Sequence, residues 1–255
     1  MDSTQIERIY EQHWRPGYGS VMADEVEYFQ DLIKQHRPAS FVEIGTASGL
    51  SGGLICLLLD EFGGKRFVTV DHDNTFFGDT TKENGFLLPS IYPGGKVEVT
   101  RLTFTTAPDV PGLGETFDMG FVDANHQHPW SLIDTLCLYP VMGGSKVVLE
   151  HDLDLYRKQT DKIYGIGPKY LYDQFPHTHR DRSTARNGNL FSLSLDLPIV
   201  RMEQVAKDGF ALPWSLRTPI AGPRLEAIRK VLSTYYDPSV VAVFNECIDK
   251  FNRPI

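Results

Sequence analysis

The chain has little that would take it out of water or out of a reducing compartment. Its 255 residues include three cysteines, Cys56, Cys137 and Cys247, far apart and in mostly apolar surroundings. That number and spacing exclude a disulfide framework or a zinc cage and read as reduced thiols packed in a cytoplasmic protein. No apolar run approaches the roughly 18 residues of a membrane span. The opening Met1-Asp2-Ser3-Thr4-Gln5 lacks signal-peptide character, so no membrane association is expected. Positive charge is short too: 25 Lys and Arg against 33 Asp and Glu leave a net charge of −8. That balance argues against nucleic acid as the main partner. Repeats and low-complexity tracts are absent, while a hydrophobic fraction of 41% is enough for a substantial core.

Two phosphate-binding signatures are missing as well, G-x-G-x-x-G and G-x-x-x-x-G-K-[ST]. What stands in their place is Phe41-Val42-Glu43-Ile44-Gly45-Thr46-Ala47-Ser48-Gly49-Leu50-Ser51-Gly52-Gly53, followed by the apolar Leu54 to Leu59. An apolar stub ending in an acid, a glycine turn and an apolar helix let a ligand lie directly against backbone. The spacing is E-x-G-x-x-x-G, with no lysine after it. The next strand ends in Asp71, whose carboxylate can accept both hydrogen bonds of a ribose diol.

Further strand candidates alternate with helical stretches. Phe41–Ile44, Arg66–Val70, Lys96–Thr100, Phe117–Val122 and Lys146–Leu149 are mostly short and unalternating, as strands buried on both faces should be. A parallel, doubly wound α/β sheet follows, with ligands at the carboxyl ends of its strands. Ala23 to His36 suits an amphipathic helix before the first strand. Past Asp152, Gly167–Phe175 reads as a helix and His177 to Gly188 as a polar, basic loop. Asn189 to Leu195 alternates as an antiparallel strand would. The tail from Pro198 holds two expected helices, Pro223–Tyr235 and Pro238–Phe251.

The glycine motif resembles motif I of the class I S-adenosylmethionine methyltransferases. Phe117-Asp118-Met119-Gly120-Phe121-Val122-Asp123-Ala124-Asn125-His126 resembles the fourth-strand motif of the metal-dependent catechol and caffeoyl-CoA O-methyltransferases and their small bacterial relatives. Gly17-Tyr18-Gly19-Ser20-Val21-Met22 resembles the segment that helps cover the cofactor there. The resemblance implies a Rossmann-like, mostly parallel seven-stranded sheet with a C-terminal helical extension, residues 1–196 forming the methyltransferase domain and 197–255 packing on it. It implies a cytoplasmic S-adenosylmethionine-dependent O-methyltransferase in secondary metabolism, acting on a hydroxylated aromatic, polyketide or sugar, with a divalent cation, Mg or Mn, and a possible homo-oligomer. The cofactor residues carried over are Met22, Glu43 near the methionine amino group, Gly45, Thr46, Gly49, Ser51, Asp71 for the ribose and Asp123. Thr103 to Thr106 fall where the family contacts adenine.

For the metal, the resemblance offers Asp123 with Glu150, His151 and Asp152, the last three following Gly143-Gly144-Ser145-Lys146-Val147-Val148-Leu149. Hard oxygen ligands with open positions suit Mg or Mn, whereas His151 stands where an amide is usual and would favour a transition metal. Strand alternation favours Glu150 with Asp152, and all three stay open. His126, three residues past Asp123, is the expected base, with His128 as a substitute. Asp123 as a helix cap and His126 as its mere partner are the bland alternatives. The basic segment His177 to Arg186 reads as a solvated loop rather than an acceptor gate. Trp14, Trp130, Trp214, Tyr164, Tyr170 and Tyr172 are core or interface before they are stacking platforms. Competing functions are a metal-free methyltransferase with His126 or His151 as base, an NAD(P)-dependent oxidoreductase, and a non-catalytic cofactor-binding subunit.

Overall fold

A computed structural model describes residues 1–18, 21–158, 164–186 and 188–254. Helices α1 (Ser3–His13) and α2 (Val26–His36) precede β1 (Ser40–Ile44), α3 (Leu50–Phe62) and β2 (Arg66–Val70). A hairpin of β3 (Thr75–Phe76) and β4 (Asp79–Glu83), which the sequence did not announce, leads to α4 (Leu88–Ile91) and β5 (Glu98–Leu102). Then come β6 (Phe117–Val122), α5 (Trp130–Leu138) and β7 (Met142–Glu150). The rest is α6 (Leu155–Lys158), α7 (Gly167–Gln174), β8 (Arg180–Arg182), β9 (Phe191–Ser194), α8 (Ile199–Phe210), α9 (Gly222–Tyr235) and α10 (Pro238–Phe251).

The main sheet has seven strands in the order β5-β2-β1-β6-β7-β9-β8. β1 pairs in parallel with β2 and β6, β2 with β5, and β6 with β7, while β9 runs antiparallel to both β7 and β8. Strand order reverses about β1, so the crevice outside the ends of β1 and β6 is the switch point where such sheets take ligands. Register puts Ile44 opposite both Val70 and Val122, and Val122 opposite Glu150. The residues just past these ends therefore converge.

Two corrections concern the right-hand edge and the tail. The segment expected as a loop from His177 carries a 3-10 turn, His177–His179, and then the edge strand β8. Asp181 is exposed and Arg182 half-buried, as on an edge strand, while Arg180 lies over Tyr172, so polarity concealed the strand. The tail holds three helices rather than two, α8 being the addition. All three share one core with α5: Phe210 and Trp214 pack on Phe244 with ring centroids 4.9 and 5.9 Å apart. Trp214 Nε1 donates to the Phe210 carbonyl and Tyr236 Oη to that of Leu136. Each such buried ring contributes about 1.5–3 kcal/mol, so Trp214 is core and not a stacking platform. On the opposite face α2, α3 and α4 bury Phe29, Phe41, Leu54 and Phe67.

Candidate functional site

The glycine turn is closed by hydrogen bonds of its own. Gly45 adopts φ +99° and Gly49 φ +84°. Thr46 and Ala47 donate their N–H groups to Asp71 Oδ2 at 3.0 and 3.2 Å, and Asp73 N–H donates to Oδ1. Burial raises the Asp71 carboxyl, but His72 and these amides outweigh it and hold it below its ordinary value. A Cβ on Gly45 would lie 2.1 Å from the Asp123 carbonyl oxygen, so this glycine lets β1 and β6 approach. Gly52 and Gly53 serve packing: a Cβ would meet Glu43 Oε2 at 3.0 Å and Ile91 at 2.7 Å.

A cleft of about 740 Å³ runs along the strand ends, with Gly45, Ala47, Asp71, Thr105 and Asp123 on its walls. Its size suits a nucleoside-sized ligand with room for a second molecule. The expected cofactor residues Gly45, Asp71 and Asp123 line it, as do Thr105 and Thr106. Glu43, Thr46, Gly49 and Ser51 lie behind the turn instead. Glu43 is fully buried and accepts from Ser51 Oγ and Thr69 Oγ1, both at 2.7 Å, while Thr46 Oγ1 bonds Thr69. Burial pushes the Glu43 carboxyl up to about 8 against those two hydroxyls. Gly49 caps α3 and abuts Gly85. Glu43, expected near the methionine amino group, is aimed by β1 into the core beneath the turn. Met22 is 41% exposed and off the cleft wall. Gly19 and Ser20 of its segment lie outside the described residues.

The chemical end gathers acids from β6 and β7. Asp123, His126 and Asp152 present ligand atoms all within 4.8 Å of one another. His126 Nε2 is 3.0 Å from Asp152 Oδ2. His151 Nδ1 sits 3.5 Å from both Asp123 Oδ1 and Asp152 Oδ1, and its Nε2 is 3.2 Å from Glu25 Oε2. Burial opposes a charge on His151, yet the Asp152 and Asp123 carboxylates prevail and raise its pKa. Asp152 is lowered in turn, chiefly by His151 against its own burial. Glu150 is not in the cluster. β7 continues through it and turns its side chain toward α5, where it is buried and accepts from Thr135 Oγ1 at 2.8 Å. Asp152 then takes φ +67°, which breaks the alternation and returns its carboxylate to Asp123. Of the three residues left open as ligands, Asp152 therefore faces Asp123 while Glu150 faces α5.

His128 is corrected too: it is 1% exposed, its Nε2 lies 2.9 Å from the Gly209 carbonyl, and burial lowers it to about 4. It braces α8 and takes no part in the site. Tyr164 and Trp130 line the cleft; Tyr172 packs on Phe191 and Tyr170 on His128. Sequence reasoning missed Glu25 and Asn189. Glu25 is wholly buried, accepts the N–H groups of Met22 and Asn189, and meets His151. Asn189 Nδ2 donates to Asp152 Oδ1 at 2.7 Å. Neither has a motif around it; each acts through residues more than a hundred or several dozen positions away. The tail was missed as a wall: Thr218 to Ala221 and Arg224 close one side of the cleft.

The seven-stranded, mostly parallel sheet with a cleft at its switch point is a Rossmann-like fold. A family described as a methyltransferase domain matches residues 42–153. The O-methyltransferase TomG from Streptomyces achromogenes, solved with S-adenosylmethionine, is 16% identical, with 75% of this chain and 88% of that one covered and a TM-score of 0.52. Cofactor-bound Rv0187 from MTB is 15% identical over 76% and 89% of the two chains, with a TM-score of 0.52. An O-methyltransferase from Bacillus cereus in complex with SAH is 14% identical over 76% and 92%, with a TM-score of 0.50. No curated protein sequence matches significantly. Residues 42–153 thus match a methyltransferase domain, and the fold is similar to that of solved O-methyltransferases. No helix among the described residues is long and apolar enough to cross a membrane.

Proposed function

We propose that the protein transfers the methyl group of S-adenosylmethionine to a hydroxyl of a small molecule, assisted by a divalent cation. The observation that carries this reading is the meeting of Asp123, on the wall of the cleft that Gly45 also lines, with His126 and Asp152. Two carboxylates and one imidazole form a donor set that a divalent ion can share with a substrate oxygen. The imidazole tilts the choice from Mg toward Mn or another transition metal. Bound there, such an ion would lower the pKa of a chelated hydroxyl and fix its direction. The cofactor would supply the electrophilic methyl group, and the chain's task is alignment.

Asp71 is placed to exchange its bonds to the turn amides for those of a ribose diol. His126 lies between Asn125 and Gln127, both on the cleft wall. With Nε2–H directed at Asp152, its other ring nitrogen can take the acceptor's proton. That same hydrogen bond favours a second reading, a metal-independent enzyme in which Asp152 orients His126 and no ion is needed. Calorimetry with S-adenosylhomocysteine, followed by transfer assays on hydroxylated aromatics with and without EDTA, separates the cases. Transfer abolished by EDTA and restored by Mn supports the metal. Transfer indifferent to EDTA supports the His126 dyad, and no heat with the nucleoside sinks both.

A further inference from the structure

Between α8 and α9 the chain, residues 211–221, forms neither helix nor strand, yet it is fastened at both ends and in the middle. Near one end Trp214 is buried, its Nε1 donating to the Phe210 carbonyl. Near the other, Ile220 N–H donates to Asn252 Oδ1 at 2.7 Å and the Ile220 carbonyl accepts from Asn252 Nδ2 at 3.2 Å. The middle is tied to residues 123–129, the irregular segment between β6 and α5 that carries His126. Ser215 and His128 form a reciprocal pair. The Ser215 Oγ accepts the His128 N–H at 2.7 Å, and the Ser215 N–H donates to the His128 carbonyl at 2.9 Å. Two residues on, Arg217 N–H donates to Gln127 Oε1 at 2.7 Å.

A second route from the tail to His126 runs through an aromatic ring. The Arg217 guanidinium lies over Tyr164, 4.3 Å from the ring centroid. That ring meets the His126 imidazole perpendicularly, with centroids 6.4 Å apart and planes at 89°. The tail thus holds the two residues that follow His126 and backs the ring beside it. Such support has a purpose at this place. Asp123 directly follows β6 and inherits the direction of the strand, whereas His126 stands three residues further out on a loop. Loops place a side chain less precisely than strands or helices, and a misplacement of about 1 Å can cost about a hundredfold in rate. Ser215 is 1% exposed and off the cleft wall, so it reaches the chemistry through the loop it holds.

We infer that residues 214–221 are a strap that positions His126 for proton transfer, with Ser215 and Gln127 as the positioning residues. The inference rests on the methyl-transfer reading and gives the C-terminal extension a part in it. The same strap brings Thr218 to Ala221 onto the cleft wall, so one piece of chain sets both the imidazole and part of the surface an acceptor would meet.

Steady-state kinetics on the full chain, with a hydroxylated aromatic that the wild type methylates, test the strap. Ser215→Ala should lower kcat about tenfold, while the KM for S-adenosylmethionine and the calorimetric affinity for S-adenosylhomocysteine stay within about twofold. Gln127→Met, at a half-buried position, should act in the same direction and keeps the test open should Ser215→Ala fail to fold. In a His126→Ala background neither substitution should slow the residual rate further, because both act through that side chain. A substitution that merely loosened the fold would cost the same factor in either background. Penalties that multiply, a kcat unchanged by both substitutions, or an effect confined to KM overturn the inference. If no aromatic is methylated, amide exchange on the free protein decides: Ser215→Ala should speed exchange across residues 123–129 about tenfold and leave β6 and β7 protected, and unchanged exchange overturns it. Transfer as fast in His126→Ala as in the wild type sinks this inference alone. Absence of S-adenosylhomocysteine binding to the wild type sinks the methyl-transfer reading with it.

Discussion

The glycine turn and the carboxylate cluster lie at the ends of adjacent strands, yet they are held together in opposite ways. The turn is neutralised from within: backbone N–H groups of residues 46 and 47 meet one carboxylate, Asp71, and a buried Glu43 beneath is tied by two hydroxyls. The cluster is a concentration of like charge. Glu25, Asp123 and Asp152 surround a single imidazole, His151, with His126 alongside. Dipoles and hydroxyls give a rigid cradle that needs no counter-ion, whereas crowded carboxylates favour protons or a cation. The first arrangement suits holding a nucleoside and the second suits binding metal or moving a proton.

The largest effect should come from removing the cluster's shared acid. Asp123→Ala is expected to cut methyl transfer by about a thousandfold, in the range of lost general acid–base or electrostatic assistance. Binding of S-adenosylhomocysteine should change far less, as the turn stays intact. Product formation by chromatography, set beside calorimetry, checks this. Equal losses in both would mean that the two regions act as one.

Gly45→Ala tests the turn from the other side. Its φ of +99° costs a side chain about 1–3 kcal/mol, and the added Cβ would meet the Asp123 carbonyl at 2.1 Å. The expected result is a fall in melting temperature of at least several degrees together with loss of nucleoside affinity, read by thermal unfolding with and without ligand. A variant as stable as the wild type would show that the backbone there is free to move.

These two positions also mark how far the sequence could be read. The turn lies within some thirty consecutive residues, so spacing alone placed strand, glycines, helix and Asp71. Asp123 was legible for the same reason, as the end of an apolar strand. Glu25 and Asn189 were not, because their role exists only once the chain has folded and brought them to His151 and Asp152. Which way Glu150 and Asp152 face was not legible, because alternation holds only while the strand lasts, and Asp152 leaves it with φ +67°. Strand β8 was hidden by the charges that an edge strand carries.

Glu25→Ala would break the cluster's balance without touching the cleft. Deleting one partner of a buried pair typically costs about 3–5 kcal/mol, and Met22 and Asn189 would lose their acceptor as well. Burial raises the Glu25 carboxyl, but His151 and the N–H groups of Met22 and Asn189 together outweigh it and lower it, so its contribution is present above the unfolded carboxylate value and fades as pH falls. Urea unfolding at pH 7 and pH 4 should therefore show a larger gap between variant and wild type at the higher pH. A gap independent of pH would mean that packing, not charge, is what Glu25 supplies.

The smallest effect near pH 5, and the most diagnostic in its slope, belongs to Glu43→Gln. Burial raises the folded Glu43 carboxyl to about 8 from a model-peptide value near 4.5. Between those values the folded protein holds a proton that the unfolded chain has released, so this group's contribution is whole below 4.5 and is lost as pH climbs through 8. Glutamine keeps the shape and one acceptor for Ser51 or Thr69 and does not titrate. The variant should thus lie within about 1 kcal/mol of wild type near pH 5, the worth of one altered hydrogen bond, and gain on it steadily toward pH 8. Because Asp134 and His128 titrate in the same region, the quantity to follow is the difference between the two proteins and not either curve alone. A difference that stays flat would mean that Glu43 is ionised in the folded protein, and the cradle would then carry a charge after all.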